Sequence, residues 1–229
     1  MHGGEGGGMT GVVKASHRLE PGVRDGLPAG LLEAVDFHGH LCPGLTIGYR
    51  AASIAMERLG VTRGSDEELV GIVETDACGI DAFQYLTGCT LGKGNLIFRD
   101  RGKQVFTLVR RHDGAGVRVA LRGDALGADP ERARLKARVM SGEATSDERA
   151  EYQRGSTDRV FELLALPSER FGNVSDVRVD LPPKAGLFPS VTCAVCGEAV
   201  MEPRARVRDG APCCIPCATR YGRGWEINV

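Results

Sequence analysis

The stretch Leu69-Val70-Gly71-Ile72-Val73-Glu74-Thr75-Asp76-Ala77-Cys78-Gly79-Ile80-Asp81-Ala82-Phe83-Gln84-Tyr85-Leu86-Thr87-Gly88 decides the fold. Its first five residues form a continuous apolar run of strand length. Beyond Cys78-Gly79, the residues Ile80, Phe83, Gln84 and Leu86 read as a short helix, and Gly88 supplies the stop. A strand feeding straight into a helix predicts a mixed α and β architecture, with a cysteine at the junction.

Upstream, Phe37-His38-Gly39-His40-Leu41-Cys42-Pro43-Gly44 builds a second junction. If residues 38–42 are extended, period-two alternation puts His38, His40 and Cys42 on one face. Pro43 fits the first helical position, which makes Cys42 the N-cap, where the positive end of the helix dipole favours a thiolate. A helix then runs from Pro43 to Leu59, with Leu45, Gly48, Ala52, Ala55, Met56 and Leu59 at helical spacing. Gly44, Gly48, Ala51, Ala52 and Ala55 leave it a small-residue surface that another backbone can approach closely. Pro28 to Val35 reads as a short helix delivering the chain into the histidines.

Downstream, strands are expected over Leu96–Arg99, Val105–Arg110 and Val117–Leu121. The last two form a hairpin around His112-Asp113-Gly114-Ala115-Gly116. Asp129-Pro130-Glu131 and Ser146-Asp147-Glu148 open two helices. Nine acidic and eight basic side chains between Asp129 and Arg170 mark that pair as a solvated face rather than a charged docking surface. Val174, Val177 and Val179 supply a last strand. The fold class is therefore α+β, an antiparallel sheet packed with helices, followed by a small C-terminal module. The expected partition is a glycine-rich disordered tail over 1–12, a core domain over 13–180, a linker over 181–190 and the small module over 191–229.

With 229 residues the chain can build one sizeable core and an appendage. A net charge of -1 argues against broad capture of nucleic acid or anionic membrane. No apolar run approaches the roughly 20 residues that span a bilayer. The N-terminus lacks the apolar stretch of a secretory signal, and a cytoplasmic location is expected.

Eight cysteines call for an explanation. Cys193, Cys196, Cys214 and Cys217 form two C-x-x-C pairs separated by seventeen residues, a spacing that suits a tetrahedral zinc in a ribbon or treble-clef finger. With all four positions filled by protein the ion is structural. A register in which Cys213 replaces Cys214 is the alternative. Five arginines against four acidic residues from Cys193 onward favour a folding or protein-contact role over nucleic-acid binding.

His38, His40, Cys42, Asp76 and Cys78 supply the ingredients of a mixed His/Cys/carboxylate site for a second, transition-metal ion, if the two junctions meet in space. Taken singly, a cysteine is more often core and a histidine more often a satisfied polar group. Cys89 joins the site only if the chain turns back at Gly88. The loop Gly92-Lys93-Gly94-Asn95 reads by default as a turn, with Lys93 a candidate to line the cleft.

The segments FHGHLCPG, DACGIDAFQYLTGCTLGKGNL, FRDRGK and CAVCGEAVMEPRARVRDG with CIPC resemble the FmdE family, named for a component of formylmethanofuran dehydrogenase, from about Val35 to Cys217. The resemblance implies an α+β core, a C-terminal zinc finger, intertwined dimers, and a cleft lined by His38, His40, Cys42, Asp76, Cys78, Cys89 and Lys93. It also implies association with molybdenum or tungsten pterin enzymes that handle formyl groups. Nothing in the chain looks like a pterin-binding or iron–sulfur protein, so that catalysis would belong to partner chains. The expected function is a metal- and thiol-containing accessory protein. The alternatives are an enzyme using Cys42, Cys78 and Lys93 on a small carbonyl or formyl substrate, and a zinc-finger regulator.

Overall fold

A computed structural model describes residues 13–219. The tail expected over residues 1–12 lies outside the described residues. Chain contacts separate two compact units that part between Lys184 and Ala185.

After a 3-10 turn at Ala15–Arg18, the first unit has the short helix α1 (Pro21–Asp25), then α2 (Ala29–His38) and α3 (Pro43–Leu59). Strand β1 (Leu69–Val73) is buried along its whole length and leads into α4 (Gly79–Thr87). There follow β2 (Leu96–Phe98), β3 (Val105–Arg110), β4 (Ala115–Leu121), α5 (Pro130–Met140), α6 (Ser146–Ala165), α7 (Ser168–Phe171) and β5 (Gly172–Arg178). The five strands form one sheet in the order β2-β1-β3-β4-β5. It is antiparallel except at the β1–β2 pair, which is parallel, with Ile72 opposite Ile97. The exception follows from chain order: α4 carries the chain between β1 and β2, and a helical crossover returns a strand in the same direction.

The main core places Ala51, Ala52 and Ala55 of α3 and Phe83 of α4 against Leu108, Val117 and Val119 of the sheet, closed by Leu163 and Phe171. A second cluster joins Leu31, Ala34 and Val35 of α2 to Leu45, Ala82 and Val160. The α5–α6 pair is more than a solvated face. Its charges include Arg138, bonded through two nitrogens to Glu148, which also completes a reciprocal Thr145/Glu148 capping box. Its inner surface buries Leu135, Val160 and Leu163.

Helices α3 and α4 cross where both are glycine. A Cβ on Gly48 would fall 1.8 Å from the carbonyl oxygen of Gly79. Only hydrogen at Gly48 lets the two backbones meet, while a Cβ on Gly79 would press at 3.0 Å on the Gly44 carbonyl oxygen, and that meeting sets the spacing of the two helices. The expected small-residue surface of α3 is thus the surface that receives α4.

The second unit has two small hairpins. Strands β6 (Ser190–Thr192) and β7 (Ala199–Met201) pair antiparallel, as do β8 (Arg206–Arg208) and β9 (Ala211–Cys213), and the unit's last described helix is α8 (Ile215–Ala218). The β8–β9 turn is Asp209-Gly210, with both residues at positive φ, which matches the twist of a two-residue hairpin.

Candidate functional site

The extended reading of residues 38–42 is not what the chain does. His38 is the last residue of α2, and Gly39 closes that helix in the left-handed conformation at φ 98°, its N–H donating to the Val35 carbonyl at 2.8 Å. Gly39 is favoured there because a Cβ strains at that φ. The reversal stacks His40 beside His38, with ring centroids 4.5 Å apart, so a helix end and a turn do what strand alternation was expected to do.

Cys42 caps α3 as the Pro43 position requires, its Sγ accepting the Leu45 N–H at 3.3 Å. Cys78 stands immediately before α4 and makes no capping bond of its own. The glycine crossing brings the two junctions together. A Cβ on Gly44 would touch Cys78 Cβ at 3.3 Å and Cys42 Sγ at 3.9 Å. One ligand atom from each of His38, His40, Cys42 and Cys78 lies within 4.8 Å of all the others.

The polar atoms of this group, in which His40 is exposed and the other three are half-buried, are donors that a metal ion can use. His38 Nδ1 sits 2.6 Å from Asp81 Oδ2. An ionised carboxylate only accepts, so the proton is assigned to Nδ1 and the lone pair to Nε2. That Nε2 is buried and has no hydrogen-bond partner. An orphaned imidazole nitrogen beside two thiols and a second imidazole fits a transition-metal ion, with Asp81 fixing the ring as outer-shell carboxylates do. Burial, then the neighbouring His38, holds the His40 pKa below the usual imidazole value, which favours the neutral ligand form. Burial pushes the Cys42 thiol up to about 11, against the Leu45 N–H, and the Cys78 thiol reinforces the rise. The helix N-terminus therefore does not by itself make Cys42 a thiolate; desolvation outweighs the dipole, and a bound cation would be needed to reverse the order.

The other candidates lie apart. Asp76 is exposed and lines an adjoining cavity of about 480 Å³ with His38, Cys78 and Asp81, without joining the four-ligand group. Cys89 is fully buried in the main core, where its Cβ would lie 3.1 Å from a Cβ placed on Gly71, and burial pushes its thiol up to about 11. Lys93 donates to the Asp66 carbonyl at 3.2 Å, ahead of the first residue of β1, whereas Cys78 lies beyond its last. A five-residue strand separates those ends by roughly 13 Å. The turn around Lys93 is organised by Asn95, which accepts from Thr90 and donates to Asp66 and Leu69.

Sequence reasoning passed over Asp81, and also the α5–α6 residues that face the cysteines. A cavity of about 530 Å³ opens on Cys42 and Cys78 and is walled by Asp129, Arg132, Lys136, Tyr152 and Arg159. Asp81 had a signal: it stands three residues after Cys78 on a helix, hence on the same face. The arginines had none, because mixed charge looks alike on an outer and an inner face.

In the second unit, Cys193, Cys196, Cys214 and Cys217 converge to the same 4.8 Å limit. Backbone N–H groups, chiefly those of Cys196 and Cys214, hold the Cys193 thiol down at about 5. Cys214 rather than Cys213 belongs to this group. Four convergent thiols make this a C4 zinc-binding cluster, and the ion is structural.

The chain is thus an α+β core carrying a His/Cys group at a helix crossing, followed by a C4 zinc finger. Residues 37–172 match the family described as FmdE, molybdenum formylmethanofuran dehydrogenase operon, and residues 186–223 match the prokaryotic dksA/traR C4-type zinc finger. The chain belongs to the FmdE family. It is 37% identical over 205 residues to a protein of Archaeoglobus fulgidus named "Probable S-adenosyl-L-methionine-binding protein", covering 85% of this chain and 55% of that one. The chain therefore spans about half the length of that relative. The crystal structure of an FmdE-like protein of the tungsten formylmethanofuran dehydrogenase type from Syntrophus aciditrophicus shares the fold with a TM-score of 0.55, at 24% identity, over 83% of this chain and 92% of that chain. No described helix is long and apolar enough to cross a membrane.

Proposed function

We propose that this protein is a metal-binding accessory protein of the FmdE type, acting beside a molybdenum or tungsten pterin dehydrogenase of the formylmethanofuran or formate kind. In this reading it is a cytoplasmic homodimer, its core group His38, His40, Cys42 and Cys78 takes one transition-metal ion, and the finger's zinc is scaffold. The observation that carries the reading is the buried, unpartnered His38 Nε2 in a ring already oriented by Asp81 and grouped with His40 and two thiols. Two nitrogens and two sulfurs suit zinc and other borderline-soft ions. A bound ion would supply Lewis acidity or a thiolate-rich binding position. The chain's own residues supply the rest: Asp81 orients His38, the glycine crossing fixes the Cys42–Cys78 spacing, and loading releases the thiol protons. The link to a dehydrogenase is supported by the family's operon association.

A second reading is supported by the cavity that opens on Cys42 and Cys78: an enzyme in its own right, acting on a small carbonyl or formyl compound. Metal analysis of the purified chain separates the metal-binding claim from its absence. Two ions per chain are expected, falling to one in Cys42→Ala/Cys78→Ala. One ion in both proteins would remove the core site.

A further inference from the structure

The cavity over the core thiols is electrostatically lopsided. Three cations and one carboxylate line it: Arg132, Lys136, Arg159 and Asp129. Arg159 is committed, donating to the Leu126 carbonyl and to Glu162 at 2.7 Å each, with Asp129 3.5 Å away. Asp129 is also occupied, capping α5 by accepting the Arg132 backbone N–H at 2.9 Å. Neither of the two remaining cations has a counter-ion among the described residues. The Arg132 guanidinium lies over the Tyr152 ring at 5.7 Å and reaches Ser156 Oγ at 3.4 Å, and it meets no carboxylate among the described residues. Lys136 has no partner among the described residues.

The cation–π contact with Tyr152 and the Ser156 contact orient the Arg132 guanidinium, leaving its other donors to a ligand, while Lys136 adds an exposed point charge. Fixed guanidinium forks recognise planar or tetrahedral oxyanions through paired N–H groups. A volume of about 530 Å³ matches a small-molecule site rather than a macromolecular groove. Cys42, Pro43, Gly44 and Cys78 line the same cavity, so a molecule held by its oxyanion at Arg132 and Lys136 shares that cavity with two residues of the core group.

We propose that this cavity binds a small molecule bearing a carboxylate or phosphate oxyanion, gripped by Arg132 and Lys136, and directs it onto the Cys42/Cys78 wall. The proposal rests on the reading of the His38–Cys78 group as the working site of the chain, and names the substrate class of that site.

Matched alkylation of the full chain tests it. The same thiolates attack the methylene carbon of iodoacetate and of iodoacetamide, forming an S–C bond and expelling iodide from each, and the two reagents differ in charge, so their rate ratio at Cys42 and Cys78, read by peptide mass spectrometry, reports the local field independently of thiol ionisation. The measurement is made in wild type and in His38→Ala/His40→Ala, where a bound ion no longer shields the thiols. Arg132→Gln/Lys136→Gln in either background is expected to lower the iodoacetate preference about fivefold. Lys136→Gln alone, at an exposed side chain, lowers it by less and in the same direction. Protection by acetate but not inorganic phosphate assigns the carboxylate class, and the reverse assigns the phosphate class. A ratio unmoved by these substitutions overturns the proposal. Metal content is read on the same samples: two ions per wild-type chain with an unmoved ratio rejects the oxyanion site alone, and one ion with a shifted ratio rejects the core metal alone.

Discussion

His38 and Asp81, forty-three residues apart in sequence, meet at 2.6 Å between Nδ1 and Oδ2, and the bond leaves His38 Nε2 as the only nitrogen of that ring free for an ion. The end of α2 and the first turn of α4 are tied by this contact. Asp81→Asn is expected to weaken metal binding at the core group about 10- to 100-fold with the fold retained, because outer-shell carboxylates orient and polarise the ligand they touch. Competition with a chromogenic chelator measures it, with the finger's zinc as internal reference; an unchanged affinity would detach Asp81 from the site.

The helix crossing is the more sensitive structural element. Gly48→Ala places a methyl group 1.8 Å from a backbone oxygen that no side-chain rotation relieves. A loss of about 1–3 kcal/mol or more is expected in urea unfolding, together with loss of the core ion as Cys42 and Cys78 separate. By contrast, Gly22 has open space around it, and Gly22→Ala serves as the neutral control.

These two predictions mark the limit of what the residues disclose in order. Helix α3 is legible from Pro43 to Leu59, and β1 and β3 are legible to the residue, because apolar runs and start signals are local. The convergence of Cys42 with Cys78 is legible only as a conditional, since it depends on glycines at two positions thirty-one apart packing together. Residues 38–42 read as extended and are not: alternation of ligands looks the same whether a strand or a left-handed glycine turn produces it. Cys89 and Lys93 are adjacent to the site in sequence alone, because β1 and α4 carry them to the core and to the far end of the strand.

Cys89→Ala should therefore cost stability, about 1–2 kcal/mol from the small cavity it leaves, while metal content stays unchanged. A lost ion in this variant would place Cys89 among the ligands. Unfolding and metal analysis on one preparation answer both.

In the finger, Cys214 and Cys213 are neighbours with different fates. Cys214→Ala should release the structural zinc, and Cys213→Ala, which removes a buried thiol outside the four-ligand group, should retain it. Equilibrium dialysis distinguishes them, and the opposite pattern would shift the register by one residue.

Acid should strip the core site. With the Cys42 pKa raised to about 11 in the metal-free protein, its proton leaves on loading. That one proton lowers the apparent affinity up to about 10-fold for each unit of pH lost below about 11. His40, whose pKa is lowered from 6.5 by burial, adds no proton competition until the pH falls below the usual imidazole range. A pH-independent affinity would mean that no thiolate ligates the ion.

The most direct test of the account is X-ray absorption at the metal edge of the zinc-loaded full chain. A core site of two histidines and two cysteines and a finger of four cysteines, averaged over two ions, predict three sulfurs at about 2.3 Å and one nitrogen at about 2.0–2.1 Å per zinc. A shell of four sulfurs with no nitrogen, at one zinc per chain, would contradict it.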